Sequence, residues 1–435
     1  MDRANLKMSR KKPTYQDLVD HSSLNKEIVK PQVWKYLQEC SEFTGEELSK
    51  TWISNMKKNL RDFYPKHGSV GRKLLGYGAN KAVIGVGAGP SYSLNKDVLS
   101  DVFRLNAKFR ESEQAFVIIA TNHQFKPLLK DKIFPHFVMV VDASKNTRRQ
   151  LLDIPKFGKE TILIASLFTD SVTIRKWDKR GGDICFFVPD GSEARELFES
   201  ETGDDASLVV VPPAGNVMNM MWLLSGRVLH SNIFMGVGND LSMKHSQDVK
   251  EREESFYADG EIKADIERAQ TEKYMGWMGF KFREKNNPFS GQPVVELHSY
   301  STSRQMFQYK LWLEIHVANF HEQKDHNFKY INCSEQGILG VLAHDWEPEV
   351  LRKNDPKNFY LMDEVCSSYM TMRLGDAVTM YLEARKWLET QTATRVGVLD
   401  IATTENGVII SPEKMGGANV TGPRGRVTES GIILL

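Results

Sequence analysis

VIGVGAGPSYSLNK, Val83 to Lys96, is the stretch on which the reading of this chain turns. Small and β-branched apolar residues run into Gly87-Ala88-Gly89-Pro90-Ser91, and a segment of helical character follows. The pattern is a strand, a turn with almost no side-chain bulk, and a helix. Residues without Cβ at a strand's end serve either a tight turn or the close approach of a ligand to backbone N–H groups. A helix start beyond them favours an anion. No Gly-Lys-Ser/Thr follows, so the loop is not a Walker A, and Gly85, Gly87, Gly89 and Pro90 depart from the dinucleotide fingerprint. On this loop alone, tight turn and phosphate cradle both stay open.

Outward from that stretch the same texture repeats. AVIGVG (82–87), AFVIIAT (115–121), FVMVVDA (137–143), TILIASL (161–167), DICFFVP (183–189), SLVVVPP (207–213) and NIFMGVG (232–238) are short apolar runs, and segments of helical length such as 94–109 and 216–229 lie between several of them. Near-continuous apolar strands alternating with helices predict an α/β fold. It is a Rossmann-like, mostly parallel sheet with helices on both faces and the site at the strands' carboxyl ends. This core is expected over 81–245, preceded by a helical region over 1–80, where Thr44 and Glu47 fit a capping box. Residues 246–390 read as a charged insertion (245 to about 285), an amphipathic helix, a late loop and a long helix at about 364–390. The insertion is taken as an exposed helix or flexible segment, with a lid over the site as the alternative. Residues 391–435, rich in Gly and Thr, read as an appendage or a surface for homo-oligomer formation.

Composition narrows the function. The 435 residues carry a formal net charge of +1, which gives no support to nucleic-acid or membrane-surface binding. The basic residues near the N-terminus (Arg3, Lys7, Arg10, Lys11, Lys12) suit a solvated tail. Four cysteines, Cys40, Cys185, Cys333 and Cys366, show no CxxC spacing, which suits a reducing cytoplasm and argues against a zinc site. No apolar run approaches the roughly 20 residues of a membrane span, and no signal-peptide core is evident. HExxH and GxSxG motifs are missing from the sequence.

Four stretches carry candidate chemistry. Gly87, Gly89, Pro90 and Ser91 form the opening loop. In ATNHQFKPLLKDKIFPHFVMVVDAS (120–144), Thr121, Asn122 and His123 end one inferred strand and Asp142 ends the next. Asn122 and His123 suit hydrogen bonds to a base or ribose. Asp142 suits a magnesium-bound water or a ribose hydroxyl, with a helix cap as the competing reading; Asp190, after another strand, ranks below it. In 212–243, Gly215-Asn216 opens a helix, and Asn239-Asp240 follow a strand, where an aspartate near two glycine loops suits Mg²⁺ and a triphosphate. In INCSEQGILG (331–340), Glu335 suits a base or a group orienting a hydroxyl, with a loop cap as the alternative.

Taken in order, Gly87-Ala88-Gly89-Pro90-Ser91, Thr121-Asn122, Asp142, Gly215-Asn216-Val217, Gly238-Asn239-Asp240-Leu241-Ser242 and Ser334-Glu335-Gln336-Gly337 resemble one family. It comprises the archaeal 6-hydroxymethylpterin diphosphokinase MptE-like proteins and the motility-associated flagellin glycosyltransferases. Ala214 and Gln336 stand where that family carries glycine. The resemblance implies a Rossmann-like, nucleotide-binding transferase. In one branch Mg-ATP delivers a diphosphate to a hydroxymethyl (pterin-like) acceptor; in the other a CMP-activated nonulosonic acid glycosylates a protein Ser or Thr. The diphosphokinase-like reaction is the expectation, the CMP-sugar glycosyltransferase its alternative, and a non-catalytic nucleotide-binding or assembly protein a third. Gly87, Gly89, Pro90 and Ser91 are expected at phosphate; Thr121, Asn122, Gly215, Asn216 and Asn239 at the nucleotide. Asp142 and Asp240 are expected at Mg²⁺ or the attacking hydroxyl, and Glu335 in a catalytic role.

Overall fold

The computed structural model of the chain describes residues 50–339 apart from 146, 153–159, 190–191, 203–208, 212–213, 247, 256, 258–273, 290, 292 and 323–327, then 370–388, 427–428 and 431–432. Each of the seven apolar runs delivers a strand. They are β1 (Ala82–Val86), β2 (Phe116–Thr121), β3 (Phe137–Val140), β4 (Ile162–Ser166), β5 (Ile184–Pro189), β6 (Val210–Val211) and β7 (Ile233–Val237). With β11 (Lys329–Asn332) and β13 (Met370–Thr371) they form a nine-stranded sheet in the order β13-β11-β7-β1-β2-β3-β4-β5-β6. Every pairing in it is parallel. The expected Rossmann-like α/β architecture is present.

The central strands are apolar throughout because both faces are covered. Val83, Val117 and Ile119 turn to one face and pack with Met221 and Trp222 of the helix Val217–Arg227 and with Trp312 and Leu313 of the helix Arg304–Glu322. Ala82, Ile84, Ile118 and Ala120 turn to the other, against Leu99 and Val102 of the helix Tyr92–Asn106 and against Leu374, Ala377 and Tyr381 of a helix at 374–388. The two-residue period of the strand sorts one sequence into two cores. A third cluster joins Val138, Val140 and Leu163 to Met56, Leu60, Phe63 and Tyr64, so residues just before the first strand also pack on the sheet.

The charged region departs from expectation. A short helix, Val249–Glu254, is followed by two long strands, β9 (Tyr274–Phe282) and β10 (Val295–Ser303), paired antiparallel. With β8 (Met243–Lys244) and β12 (Gln336–Gly337) they form a second sheet in the order β12-β9-β10-β8. In YMGWMGFKF apolar residues fall at both odd and even positions and Gly276 and Gly279 interrupt the run, so strand alternation is plain only over Met278, Phe280 and Phe282. Gly279 is required where it lies, since a Cβ there would stand 2.2 Å from the Gly337 carbonyl oxygen. The long helix expected at 364–390 is found at 374–388. Asp190, the Thr44–Glu47 capping box, the basic N-terminus and most of 391–435 lie outside the described residues. No helix among the described residues is long and apolar enough to cross a membrane.

One feature of the core is costly. Lys310 and Glu314, one turn apart on the helix Arg304–Glu322, pair with side chains 1% and 0% exposed. Breaking such a pair strands a charge, whereas replacing both partners need not. Lys310→Met is expected to cost roughly 3–5 kcal/mol in urea unfolding, and Lys310→Met with Glu314→Leu to recover most of it. Equal losses in the single and double variants would contradict the pairing.

Candidate functional site

The chain lays β1 to β6 in one direction along the sheet, then returns to place β7 on the other side of β1. The strand order therefore reverses between β1 and β7, and open α/β sheets bind ligands outside the carboxyl ends at such a point. The loops Gly87–Ser91 and Gly238–Ser242 leave the sheet there.

These two loops touch. The Gly87 N–H donates to Val237 O at 2.7 Å and the Gly89 N–H to Gly238 O at 2.9 Å. A Cβ on Gly87 would lie 2.3 Å from Gly238 O, and one on Gly89 2.3 Å from Asp240 Oδ2. The close approach that the glycines permit is thus made by the chain's own second loop. The Ser91 N–H donates to Asp240 Oδ2 at 2.9 Å, while the Tyr92 and Ser93 N–H groups close turns onto Gly89 O and Pro90 O. The N–H groups of Gly87, Gly89 and Ser91, expected at phosphate together with Pro90, are engaged within the protein, as are those of Tyr92 and Ser93.

An anion finds a better start next door. Gly215 sits at φ +80°, beneath the Tyr309 ring, and Asn216 caps the helix Val217–Arg227 by accepting the Asn219 N–H at 2.8 Å. The first turn of that helix lies beside Gly87, with Met218 Cγ 3.3 Å from where a Gly87 Cβ would stand. The positive end of the helix dipole meets the rim there. Ala214 is fully buried, and its carbonyl accepts the Asn219 side-chain amide.

Asp240 is the centre of the rim. Its side chain is 2% exposed; Oδ2 holds the Ser91 N–H, and Oδ1 has no hydrogen-bond partner. Burial lifts its pKa to about 7, against hydrogen bonding from Ser91. The Ile338 N–H donates to Asp240 O, and Gly337 at φ +108° would set a Cβ 2.5 Å from that oxygen. Ser334 Oγ accepts the Asn239 N–H at 3.1 Å, and Asn95 Nδ2 donates to Ser91 O and Cys333 O. The loops after β1, β7 and β11 are thereby laced together, as the order of the motifs required.

Glu335 follows β11 on the late loop, at φ +63° and partly buried. Burial lifts its pKa to about 7, while Arg373 pulls it down.

At the β2 end, Thr121 Oγ1 accepts the Gln124 N–H in a turn. Asn122 Nδ2 donates to Gln150 Oε1, and Gln150 Nε2 lies 3.5 Å from His123 Nδ1. Gln150, on the helix Thr147–Leu152, belongs to no motif and was invisible to sequence reasoning. Asp142 is exposed and folds onto its own loop, accepting the Ser144 N–H at 2.7 Å and the Ser144 hydroxyl at 2.8 Å. It ends β3, three strands from β7, so roughly 14 Å of sheet separate it from Asp240. Asp142 and Asp240, both expected at Mg²⁺ or the attacking hydroxyl, are thus not brought side by side. Among the described residues no group of three or more His, Cys, Asp or Glu side chains gathers for a metal. Magnesium needs only one or two protein carboxylates when phosphates supply the rest, and the unpartnered Asp240 Oδ1 fits one such position.

Residues 50–246 match the family described as 6-hydroxymethylpterin diphosphokinase MptE-like, the segment that holds the opening loop, Asn122, Asn216 and Asp240. Among solved structures the chain is similar to the MAf glycosyltransferase from Magnetospirillum magneticum AMB-1, with 14% identity and a TM-score of 0.40. That likeness covers 66% of this chain and 37% of the other, so the chain spans little more than a third of that glycosyltransferase's length. No curated protein matches the chain.

Proposed function

We propose, from the match of residues 50–246 to the MptE-like family, that the chain is a nucleotide-dependent transferase working at the β1–β7 rim. The observation that carries the reading is convergence. Gly87–Ser91, Gly238–Ser242 and Ser334–Gly337, scattered through 250 residues, meet at the point where the strand order reverses, and Met218 in the first turn of the helix Val217–Arg227 lies beside Gly87.

The reaction favoured is diphosphoryl transfer from ATP to a hydroxymethyl group. The acceptor oxygen bonds to the β-phosphorus, the bond from that phosphorus to the oxygen shared with the α-phosphate breaks, and AMP leaves. Phosphoryl transfer asks the protein mainly for positioning and charge. The first turn of the helix Val217–Arg227 receives the phosphates, and Asn216 fixes that turn. Asp240 Oδ1 holds the cation or the attacking hydroxyl. Magnesium, were it bound, would neutralise charge on the phosphates, and Asp240 Oδ1 would hold it.

Incubation with ATP and a hydroxymethylpterin, or with CMP-activated nonulosonic acid and a Ser/Thr peptide, separates the branches by product. The reading predicts AMP together with a diphosphorylated pterin, with no such product from Asp240→Asn. CMP release in the second mixture moves the assignment to the glycosyltransferase branch, and release of neither nucleotide contradicts a transferase.

A further inference from the structure

We propose that the imidazole of His298, held by Glu296 on β10, is the base that takes the proton from the acceptor's hydroxyl group. The inference rests on the transferase reading above and adds to it a group from a strand that carries none of the motifs. Both branches of that reading end on a hydroxyl acceptor, so the assignment does not depend on the donor.

The antiparallel sheet β12-β9-β10-β8 has two unlike faces. Phe280 and Phe282 of β9 turn to one and are buried. On the other face β10 carries Glu296, His298, Tyr300 and Thr302, since residues two apart in a strand share a side. This row runs toward the rim. Thr302 Oγ1 donates to Leu241 O at 2.9 Å, in the loop that holds Asp240. Tyr300 is buried, and burial, followed by the nearby Asp240 carboxylate, pushes its hydroxyl pKa up. His298 comes next, its ring centroid 6.5 Å from that of Tyr300. Directly across from His298 lies Gly279 of β9, where a Cβ would stand 2.2 Å from Gly337 O and 2.8 Å from Tyr300 Cδ2. Gly337 in turn lies on Asp240, since its own Cβ would stand 2.5 Å from the Asp240 carbonyl oxygen. The row thus leads from Asp240 outward to a half-exposed imidazole.

That imidazole is set to accept a proton. His298 Nε2 lies 3.2 Å from Glu296 Oε2. Arg283 pairs with the other oxygen, and hydrogen bonds from Arg283 and then His298 hold the Glu296 pKa down, so Glu296 is a carboxylate. A carboxylate only accepts, which places the proton on Nε2 and leaves the Nδ1 lone pair for the acceptor. The step balances with no further reagent. The acceptor oxygen bonds to the β-phosphorus, or to the sugar's anomeric carbon in the other branch, and its proton passes to Nδ1. The nucleotide leaves with the electrons of the broken bond, and the half-exposed imidazolium returns its proton to water. Glu296 acts through His298, as a positioning residue that faces the charge forming on the ring. Asp240 Oδ1 is then left to the cation.

Steady-state kinetics of the full chain, with whichever donor and acceptor the wild type turns over, tests the assignment. His298→Ala is expected to lower kcat about 100-fold or more, with the donor's KM held within about twofold, and added imidazole to restore part of the loss. Glu296→Gln, which keeps the base but not its holder, is expected to lose less and to gain nothing from imidazole. His245→Ala is the control. That ring lies beside Ser301, on the opposite face of β10, and its removal is expected to leave kcat unchanged. Melting curves check each variant, and His298→Gln supplies the kcat comparison should His298→Ala not fold. A His298 variant with the wild-type kcat, a loss confined to KM, or a loss that imidazole does not touch overturns the assignment and leaves the transferase reading standing. A wild type that releases neither AMP nor CMP overturns both.

Discussion

Asp240→Asn is expected to be more stable than the wild type at pH 8 and nearly equal to it at pH 4. A carboxyl whose folded pKa is raised to about 7 from an ordinary 3.8 keeps its proton in the folded state long after the unfolded chain has lost it. Between those values the folded state binds more protons, so wild-type stability falls as pH rises from about 4 to about 7 and levels off above. Three pKa units correspond to a loss on the order of 4 kcal/mol. Asparagine keeps an oxygen for the Ser91 N–H and cannot ionise, so the variant escapes the loss. Urea unfolding of both proteins from pH 4 to pH 8 checks this, and a difference that does not grow with pH would contradict it. Wild-type chains that retain a destabilising acid at a rim of converging loops fit a stability cost borne for function.

Gly87→Ala is expected to lose at least about 3 kcal/mol, or to yield no soluble protein, because its Cβ would stand 2.3 Å from the Gly238 carbonyl oxygen. Backbone at the end of a central strand cannot step aside as a flexible side chain can. Gly238→Ala combines the same collision, 2.4 Å from Gly87 O, with a residue held at φ +68°. Gly181→Ala and Gly291→Ala provide the contrast. Both sit at positive φ, +77° and +68°, with nothing within 4 Å of the new Cβ, so only conformational strain of about 1 kcal/mol applies. Chemical denaturation of the four variants separates collision from strain, and equal losses across the set would contradict the account of the loop contact.

The sheet was legible because burial on both faces writes itself into local sequence as apolar runs, and all seven runs proved to be strands. β9 and β10 were not legible. Their stability comes from a register between Tyr274–Phe282 and Val295–Ser303 and from the contact of Gly279 with Gly337, both non-local. The glycine loop shows the same limit at the site. Sequence marks Gly87 and Gly89 as places of close approach, but the approaching group, Gly238–Asp240, lies about 150 residues on. A ligand and the chain's own backbone leave the same mark. Asp142 shows a local effect that residue type alone does not place: it turns onto the Ser144 N–H of its own loop, since short acidic side chains bond nearby N–H groups readily. Gln150 had no motif and enters only because the helix Thr147–Leu152 carries it to Asn122.

A crystal of the protein grown with the nucleotide that binds tightest tests the central claim most directly. The account predicts phosphate density within hydrogen-bond reach of the Val217 and Met218 amides and a ribose passing the β1 end. A nucleotide bound at the amino ends of the strands, or on a surface remote from Gly87 and Asp240, would contradict it.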